Sequence, residues 1–289
     1  MTSIAGFEEG YSVLMPVYEK ERPEYLKASI KSMLVQTLPC ADFVLVCDGP
    51  LPKELEEVID WAASELGERF QCVRLAQNQG LGKALEKGLC YCRCPVVARM
   101  DSDDLSRPTR CEKQFHMIKE KHYGIVGGSL KEFVNEPGDR ESLRVLPEKP
   151  EHIMEFAKVR NPFNHPCVMF LKDAVLEAGG YEDFPGFEDY FLWIRMLKNG
   201  CRGYNLQEVV LDMRTGNGMY ARRGGMDYIR NLIRFQKYLK EQKIIGYGRF
   251  FKNCISRSLV AAFPGKLRSL LYYCFLREKN GRKPHGRSS

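Results

Sequence analysis

Apolar positions along the first hundred residues follow two alternating periods. Tyr11–Val17 is a continuous apolar run, and Asp42–Cys47, residues 70–75 and residues 96–100 are short stretches of the same kind. Between them the apolar residues fall at helical spacing: Leu26, Ile30, Met33 and Leu34 within 24–36, then Leu55, Val58, Ile59 and Ala62 within Lys53–Leu66, with a third helix over 81–90. Strands separated by helices of this length predict βαβ units, hence a parallel sheet with right-handed crossovers. In such a sheet the loops that follow the strands meet at one rim, where open α/β sheets bind ligands. The loop at Pro16–Glu19, the acid Asp48 and the acids after residue 100 would converge there.

Beyond residue 104 the pattern predicts a helix over 107–121, a strand over 124–133, a polar loop over 135–150 and a short helix over 151–159. It continues with a strand at 167–171, a helix over 172–178 closed by Gly179-Gly180, the helix Glu188–Lys198, and two short strands, 203–206 and 209–213. From Met226 onward only helices are expected, and the last ten residues read as a disordered polar end.

Charge divides the chain. The net charge of +7 combines residues 1–220, with 27 Lys or Arg against 34 acids, and residues 221–289, with 17 against 3. The expected organisation is an α/β domain over 1–220 and a basic amphipathic helical tail over 221–289. Arg230, Arg234, Lys237, Lys240 and Lys243 recur at helical steps. Leu232, Ile233, Tyr238 and Leu239 are expected to supply apolar surface beside them, and aromatic residues interleave with cations from Phe250 to Arg277. That mixture fits helices lying on an anionic membrane surface better than nucleic-acid binding, which does not call for so much apolar surface. A packed helical subdomain with a basic exterior is the other reading. No run free of Asp, Glu, Lys and Arg exceeds the eleven residues 161–171, too few for a span. The eleven cysteines lack paired spacing and no signal peptide precedes them, so free thiols in a reducing compartment are expected. The Cys90, Cys92, Cys94 spacing is not that of a zinc ribbon.

The densest chemistry is Arg99-Met100-Asp101-Ser102-Asp103-Asp104. Three carboxylates in four positions repel one another unless a cation lies among them. A hard divalent ion, Mg²⁺ or Mn²⁺, shared with substrate phosphates would meet that need. Acids before a helix can also serve only as caps, and of the three Asp104 is the one expected to be structural.

In order, Ser12-Val13-Leu14-Met15-Pro16-Val17-Tyr18, Val46-Cys47-Asp48-Gly49, Asn78-Gln79-Gly80-Leu81-Gly82-Lys83-Ala84, the acid cluster and Gly186-Phe187-Glu188-Asp189 resemble the inverting family 2 glycosyltransferases of the GT-A fold. The resemblance covers about residues 10–220. Asn164-His165-Pro166, Ala178-Gly179-Gly180-Tyr181 and residues 216–225 are similar to the capsule and exopolysaccharide branch, galactosyltransferases of the amylovoran type in particular.

That resemblance implies a UDP-sugar donor whose base is lined by Pro16, Val17 and Tyr18, with Glu19 beside it. Asp48 would accept from the uracil ring, Lys83 would face uracil or diphosphate, Asp101 the ribose, and Asp103 with Asp101 the metal. Asp189 would be the base that deprotonates the acceptor hydroxyl, while Glu188 orients it or binds the acceptor. His165 would line the donor-sugar or acceptor pocket. Arg222 and Arg223 would clamp a diphosphate on UDP or on a polyprenyl-linked saccharide acceptor. The implied location is peripheral, on the cytoplasmic leaflet of a bacterial plasma membrane. The absence of a Gln-x-x-Arg-Trp motif implies one sugar per encounter. A sugar nucleotidyltransferase, which needs a Gly-rich basic loop after the first strand, and a catalytically dead membrane scaffold are the rival readings.

Overall fold

The computed structural model describes residues 9–215 and 224–263. Its first half is a run of parallel strands, β1 (Tyr11–Val17), β2 (Asp42–Cys47), β3 (Phe70–Arg74) and β4 (Val96–Arg99). They are joined by α1 (Pro23–Leu34), α2 (Lys53–Leu66) and α3 (Leu81–Tyr91). Every residue of β1, β2 and β4 is buried, as expected of parallel strands covered on both faces.

The second half extends the same sheet. It adds β5 (Leu105–Ser106), α4 (Arg110–Lys121), β6 (Ile125–Phe133), β7 (Leu143–Arg144), α5 (Pro150–Ala157), β8 (Met169–Leu171), α6 (Lys172–Glu177), α7 (Glu188–Lys198) and β9 (Gly203–Arg214). The strand order among the described residues is β3-β2-β1-β4-β8-β6-β9-β5, with β7 paired to β6. Only β8 reverses between β4 and β6, so β1, β2, β3, β4, β6 and β9 point the same way. Their carboxyl ends form one rim. This is the mixed, mostly parallel α/β sheet expected.

Two expectations change. The two short strands at 203–206 and 209–213 are one strand, β9, because the register against β6 shifts around Gly128 and Ser129. That irregularity lets Gln207 and Glu208 leave the ladder without ending it. The basic helix α8 (Met226–Glu241) is no separate tail either. Its Phe235 packs at 4.5 Å from Tyr190 and 5.3 Å from Phe187, and Leu232 and Leu239 are fully buried in the same core. Leu232 and Leu239 are therefore core residues and offer no surface to a membrane. The last described helix, α9 (Tyr247–Ala262), packs on α8; residues 264–289 lie outside the described residues.

Helix α3 lies tight against β1 and β2. A Cβ on Gly88 would stand 2.5 Å from Leu14 Cδ1 and 2.5 Å from Val46 Cγ2. Alanine there would gain about 1 kcal/mol of helix propensity and lose about 1–3 kcal/mol to overpacking, which leaves the outcome between about even and a loss of about 2 kcal/mol. For Gly88→Val we expect a loss of at least about 2 kcal/mol in urea unfolding, and an unchanged midpoint would contradict the close approach.

Candidate active site

The register of the parallel strands decides what meets at the rim. Val17 pairs with Cys47, so Tyr18 and Asp48 leave the sheet side by side, with the Asp48 N–H donating to Val17 O at 2.8 Å. Leu14 pairs with Arg99, and the Met100 N–H returns to Leu14 O at 3.1 Å, which starts the acid loop one strand over. These loops border an open cleft of about 1230 Å³. Pro16, Val17, Tyr18, Asp48, Asp101, Asp103, His165, Glu188 and Asp189 all line it.

Two of the expected residues fall elsewhere. Glu19 is exposed and outside the cleft, because a turn closed by the Glu21 N–H on Tyr18 O carries Glu21 inward in its place. Lys83 is on the solvent side of α3, while Gly80, Leu81 and Ala84 of the same segment face the cleft. Arg222 and Arg223 lie outside the described residues.

The acid cluster is held by cations that the sequence reading left without roles. Arg99, 1 % exposed, donates from Nη2 to Asp101 Oδ1 at 2.5 Å. Arg214, at the end of β9, donates its backbone N–H to Asp104 Oδ1 at 2.7 Å and Nε to the Asp103 carbonyl at 3.1 Å. Its guanidinium lies over the Tyr25 ring at 3.7 Å and Phe133 at 4.4 Å. Glu21 joins the cluster, accepting from Ser102 Oγ at 2.5 Å. Burial, then the charges of Asp101 and Glu21, push Asp103 up to about 7, and burial pushes Asp104 well above the carboxylate range.

Ligand oxygens of Asp101, Asp103 and Asp104 lie within 4.8 Å of one another, and Asp104 Oδ2 is buried without a partner. An all-carboxylate set with an orphaned oxygen fits a hard divalent cation.

At the end of β2, Asp48 accepts from the Gln79 N–H at 2.7 Å and the Gly80 N–H at 3.0 Å, fixing the loop that opens α3. Gly49 makes this possible. Its φ is +95°, and a Cβ would stand 2.8 Å from the Asn78 nitrogen.

Asp189, in the first turn of α7, accepts hydrogen bonds from Asn161 and Tyr190. Asn161 Nδ2 reaches Oδ2 at 2.5 Å, and the Tyr190 N–H reaches Oδ1 at 2.7 Å. Glu188 beside it accepts from the Gly186 N–H at 3.1 Å, and burial raises its pKa. His165 contacts the Tyr181 hydroxyl at 3.1 Å and packs against Trp193 at 5.8 Å. Burial, then the charge of Arg99, keep its imidazole neutral. Asn161, Arg160, Arg214 and Arg257 also line the cleft. The signal of Asn161, Arg214 and Arg257 in the sequence is weak, because each lies far along the chain from residues it meets.

Residues 12–180 match the family model described as Glycosyl transferase family 2. The chain is 39 % identical over 264 residues to the amylovoran biosynthesis glycosyltransferase AmsE of Erwinia amylovora, covering 91 % of this chain and 97 % of that one. It is 36 % identical over 264 residues to the UDP-Gal:alpha-D-GlcNAc-diphosphoundecaprenol beta-1,3-galactosyltransferase of Escherichia coli, covering 91 % and 94 %. Among solved structures, S. aureus TarS 1-349 in complex with UDP-GlcNAc superposes with a TM-score of 0.67 at 14 % identity, over 91 % of this chain and 75 % of that one; at that identity the likeness establishes the fold.

The raised pKa of Asp103 has a stability consequence. The folded state holds that proton more tightly than the unfolded chain, whose ordinary value is 3.8, so metal-free stability falls as pH rises from there through about 7. Asp103→Asn should therefore raise metal-free stability at pH 8 by about 1–3 kcal/mol and leave it nearly unchanged at pH 4. Thermal unfolding at both pH values checks this, and an equal effect at the two would contradict it.

Proposed function

We propose, on the premise that the chain belongs to glycosyl transferase family 2 and is a glycosyltransferase, that it moves a hexose from a UDP-sugar to a polyprenyl-diphosphate-linked saccharide with inversion. The hexose is galactose, on the likeness to the E. coli relative, and the setting is assembly of capsule, exopolysaccharide or O-antigen repeat units. The observation that carries this reading is that Asp48, the Asp101–Asp103 pair and Asp189 border one cleft.

In this reading Pro16, Val17 and Tyr18 pack against the base, Asp48 accepts from uracil, and Asp101 holds the ribose. Asp103, with Asp101 and the orphaned oxygen of Asp104, would hold Mn²⁺ or Mg²⁺. The ion's chemistry is to neutralise charge that develops on the departing diphosphate. Asp189 takes the proton from the acceptor hydroxyl as that oxygen attacks the anomeric carbon, and the bond from that carbon to the diphosphate breaks on the opposite face. Asn161 and the Tyr190 N–H keep the carboxylate aimed, so little reorientation accompanies the transfer. Glu188 and the neutral His165 line the sugar-binding wall. An α-linked donor then gives a β-linked product.

Association with the membrane is peripheral, on the inner leaflet of a bacterial plasma membrane. Among the described residues no helix is long and apolar enough to cross a bilayer. Helix α9 exposes Tyr247, Phe251, Ile255, Leu259 and Phe263 at steps of four, interleaved with Arg249 and Lys252. That combination suits an anionic lipid interface.

Two measurements test the reading. Asp189→Asn should lower transfer from UDP-galactose to an undecaprenyl-diphosphate-linked N-acetylglucosamine by about 10²–10⁴-fold while UDP binding, followed by calorimetry, is retained. A variant that transfers at the wild-type rate would remove Asp189 from the chemistry. Replacing both Ile255 and Leu259 by Glu should cut sedimentation with phosphatidylglycerol-containing vesicles about tenfold or more, and undiminished binding would take the membrane face away from α9.

A further inference from the structure

Part of the cleft wall is built by α9, which contributes Asn253, Ser256, Arg257 and Val260. Their spacing puts them on one helical face. Buried Asn253 locks that face in place by donating to the Lys158 carbonyl at 2.9 Å and to Gln236 Oε1 at 2.8 Å. Arg257 then spans from the Val159 carbonyl, 3.5 Å from Nη1, to the Phe187 ring, 5.7 Å from its guanidinium carbon. Both anchors are next to the chemistry: Phe187 precedes Glu188-Asp189, and residues 158–161 end in the Asn161 that holds Asp189.

Arg160 lines the same wall one residue before Asn161. The electrostatics agree that these groups are close, since Arg257, Arg160 and Asp189 all act on the hydroxyl of Tyr190. Arg257 is half-buried and makes no ion pair with a carboxylate among the described residues. A half-buried guanidinium beside a cleft, held only by a long carbonyl contact and a ring, keeps most of its donor fork for something else.

The surface around Arg257 says what that is. The exposed apolar residues Tyr247, Phe251, Ile255, Leu259 and Phe263 advance about 40° per step around α9, at 3.6 residues per turn. The stripe therefore winds toward the cleft, and Leu259 and Phe263 come beside the cleft-lining Ser256 and Val260. Sugar chemistry at Asp189, cations at Arg160 and Arg257, and apolar surface at the end of α9 follow one another in the order of a sugar, a diphosphate and a lipid.

We propose that Arg257 and Arg160 form the subsite for the diphosphate of the lipid-linked acceptor, separate from the Asp101–Asp103 side of the cleft where the donor's diphosphate is bound. The acceptor's diphosphate occupies the guanidinium forks, its sugar reaches Asp189, and its chain leaves past Val260 toward Leu259. This rests on the glycosyltransferase reading above and adds the residues that choose a diphosphate-bearing acceptor over a plain glycoside.

The test compares two acceptors carrying the same sugar, one on a short-chain lipid diphosphate and one on an alkyl glycoside without phosphate. Wild type should favour the diphosphate, and Arg257→Gln should lower the ratio of kcat/KM values, diphosphate over glycoside, about 10- to 100-fold, with Arg257→Lys between. An equal fall for both acceptors would overturn the proposal and make Arg257 a packing residue. Direct binding separates this from failure of the parent reading. In EDTA, geranyl diphosphate should bind wild type at least about tenfold tighter than either Arg257→Gln or Arg160→Gln, whether or not transfer is seen, and equal affinities would overturn the subsite. Sedimentation with phosphatidylglycerol vesicles is the third arm. If Arg257→Gln loses vesicle binding but keeps geranyl diphosphate affinity, the cation serves a lipid headgroup and the proposal falls.

Discussion

Holding several carboxylates at one sheet edge against their own repulsion is the constraint on which the rest of the molecule depends. Two like charges 4 Å apart cost on the order of 4 kcal/mol at the effective dielectric near a protein surface, a sizeable share of a domain's whole stability. Asp101, Asp103 and Asp104, with Glu21 close by, are tolerable because positive groups are placed among them first. Arg99 is buried in β4 with its Nη2 on Asp101, and Arg214 staples the acid loop to the end of β9. Burial first, and then the residual repulsion, raise the pKa values of Asp103 and Asp104. A cation held there, as the proposed function requires, would relieve a cost already present in the fold.

The sheet topology converts that local arrangement into a cleft. Because β1, β2, β4 and β9 share a direction, the turn at Tyr18, the acid Asp48, the cluster at Asp101 and the staple at Arg214 reach the same rim from four parts of the chain. The opposite wall is aromatic. Phe184, Phe187, Tyr190 and Phe191 close around Phe235 of α8, which fixes the start of α7 and so the position of Asp189. Helix α8 is thus a structural part of the site despite its basic exterior.

Charge is distributed along the same axis. The wall that carries Asp48 and the acid cluster comes from the acidic first part of the chain, and the part of the wall built by α9 comes from the basic last part. In the proposed function the cation and the acceptor's diphosphate would then occupy separate parts of one cleft. Helix α9 combines a cleft face at Asn253 and Arg257 with an apolar stripe ending at Phe263, the two features that the proposed membrane-linked acceptor would need.

Much of this was legible along the chain because it is local. The continuous apolar runs of β1, β2 and β4 identified buried parallel strands, and the acids at Asp48, Asp101, Asp103 and Asp189 stood out because charge at a strand end or helix start interrupts an otherwise readable pattern. Position alone could not separate Glu19 from Glu21, since a single turn decides which faces inward. Nor could it tell that Lys83 faces solvent while Ala84 packs, or that Leu232 and Leu239 are core. Those outcomes depend on which face of a helix meets which neighbour, a contact between residues far apart in sequence. The same holds for Asn161, Arg214 and Arg257. Each is an ordinary polar residue in its own neighbourhood and acquires a role only when folding brings it within hydrogen-bond reach of a carboxylate or beside a ring that its own segment does not contain.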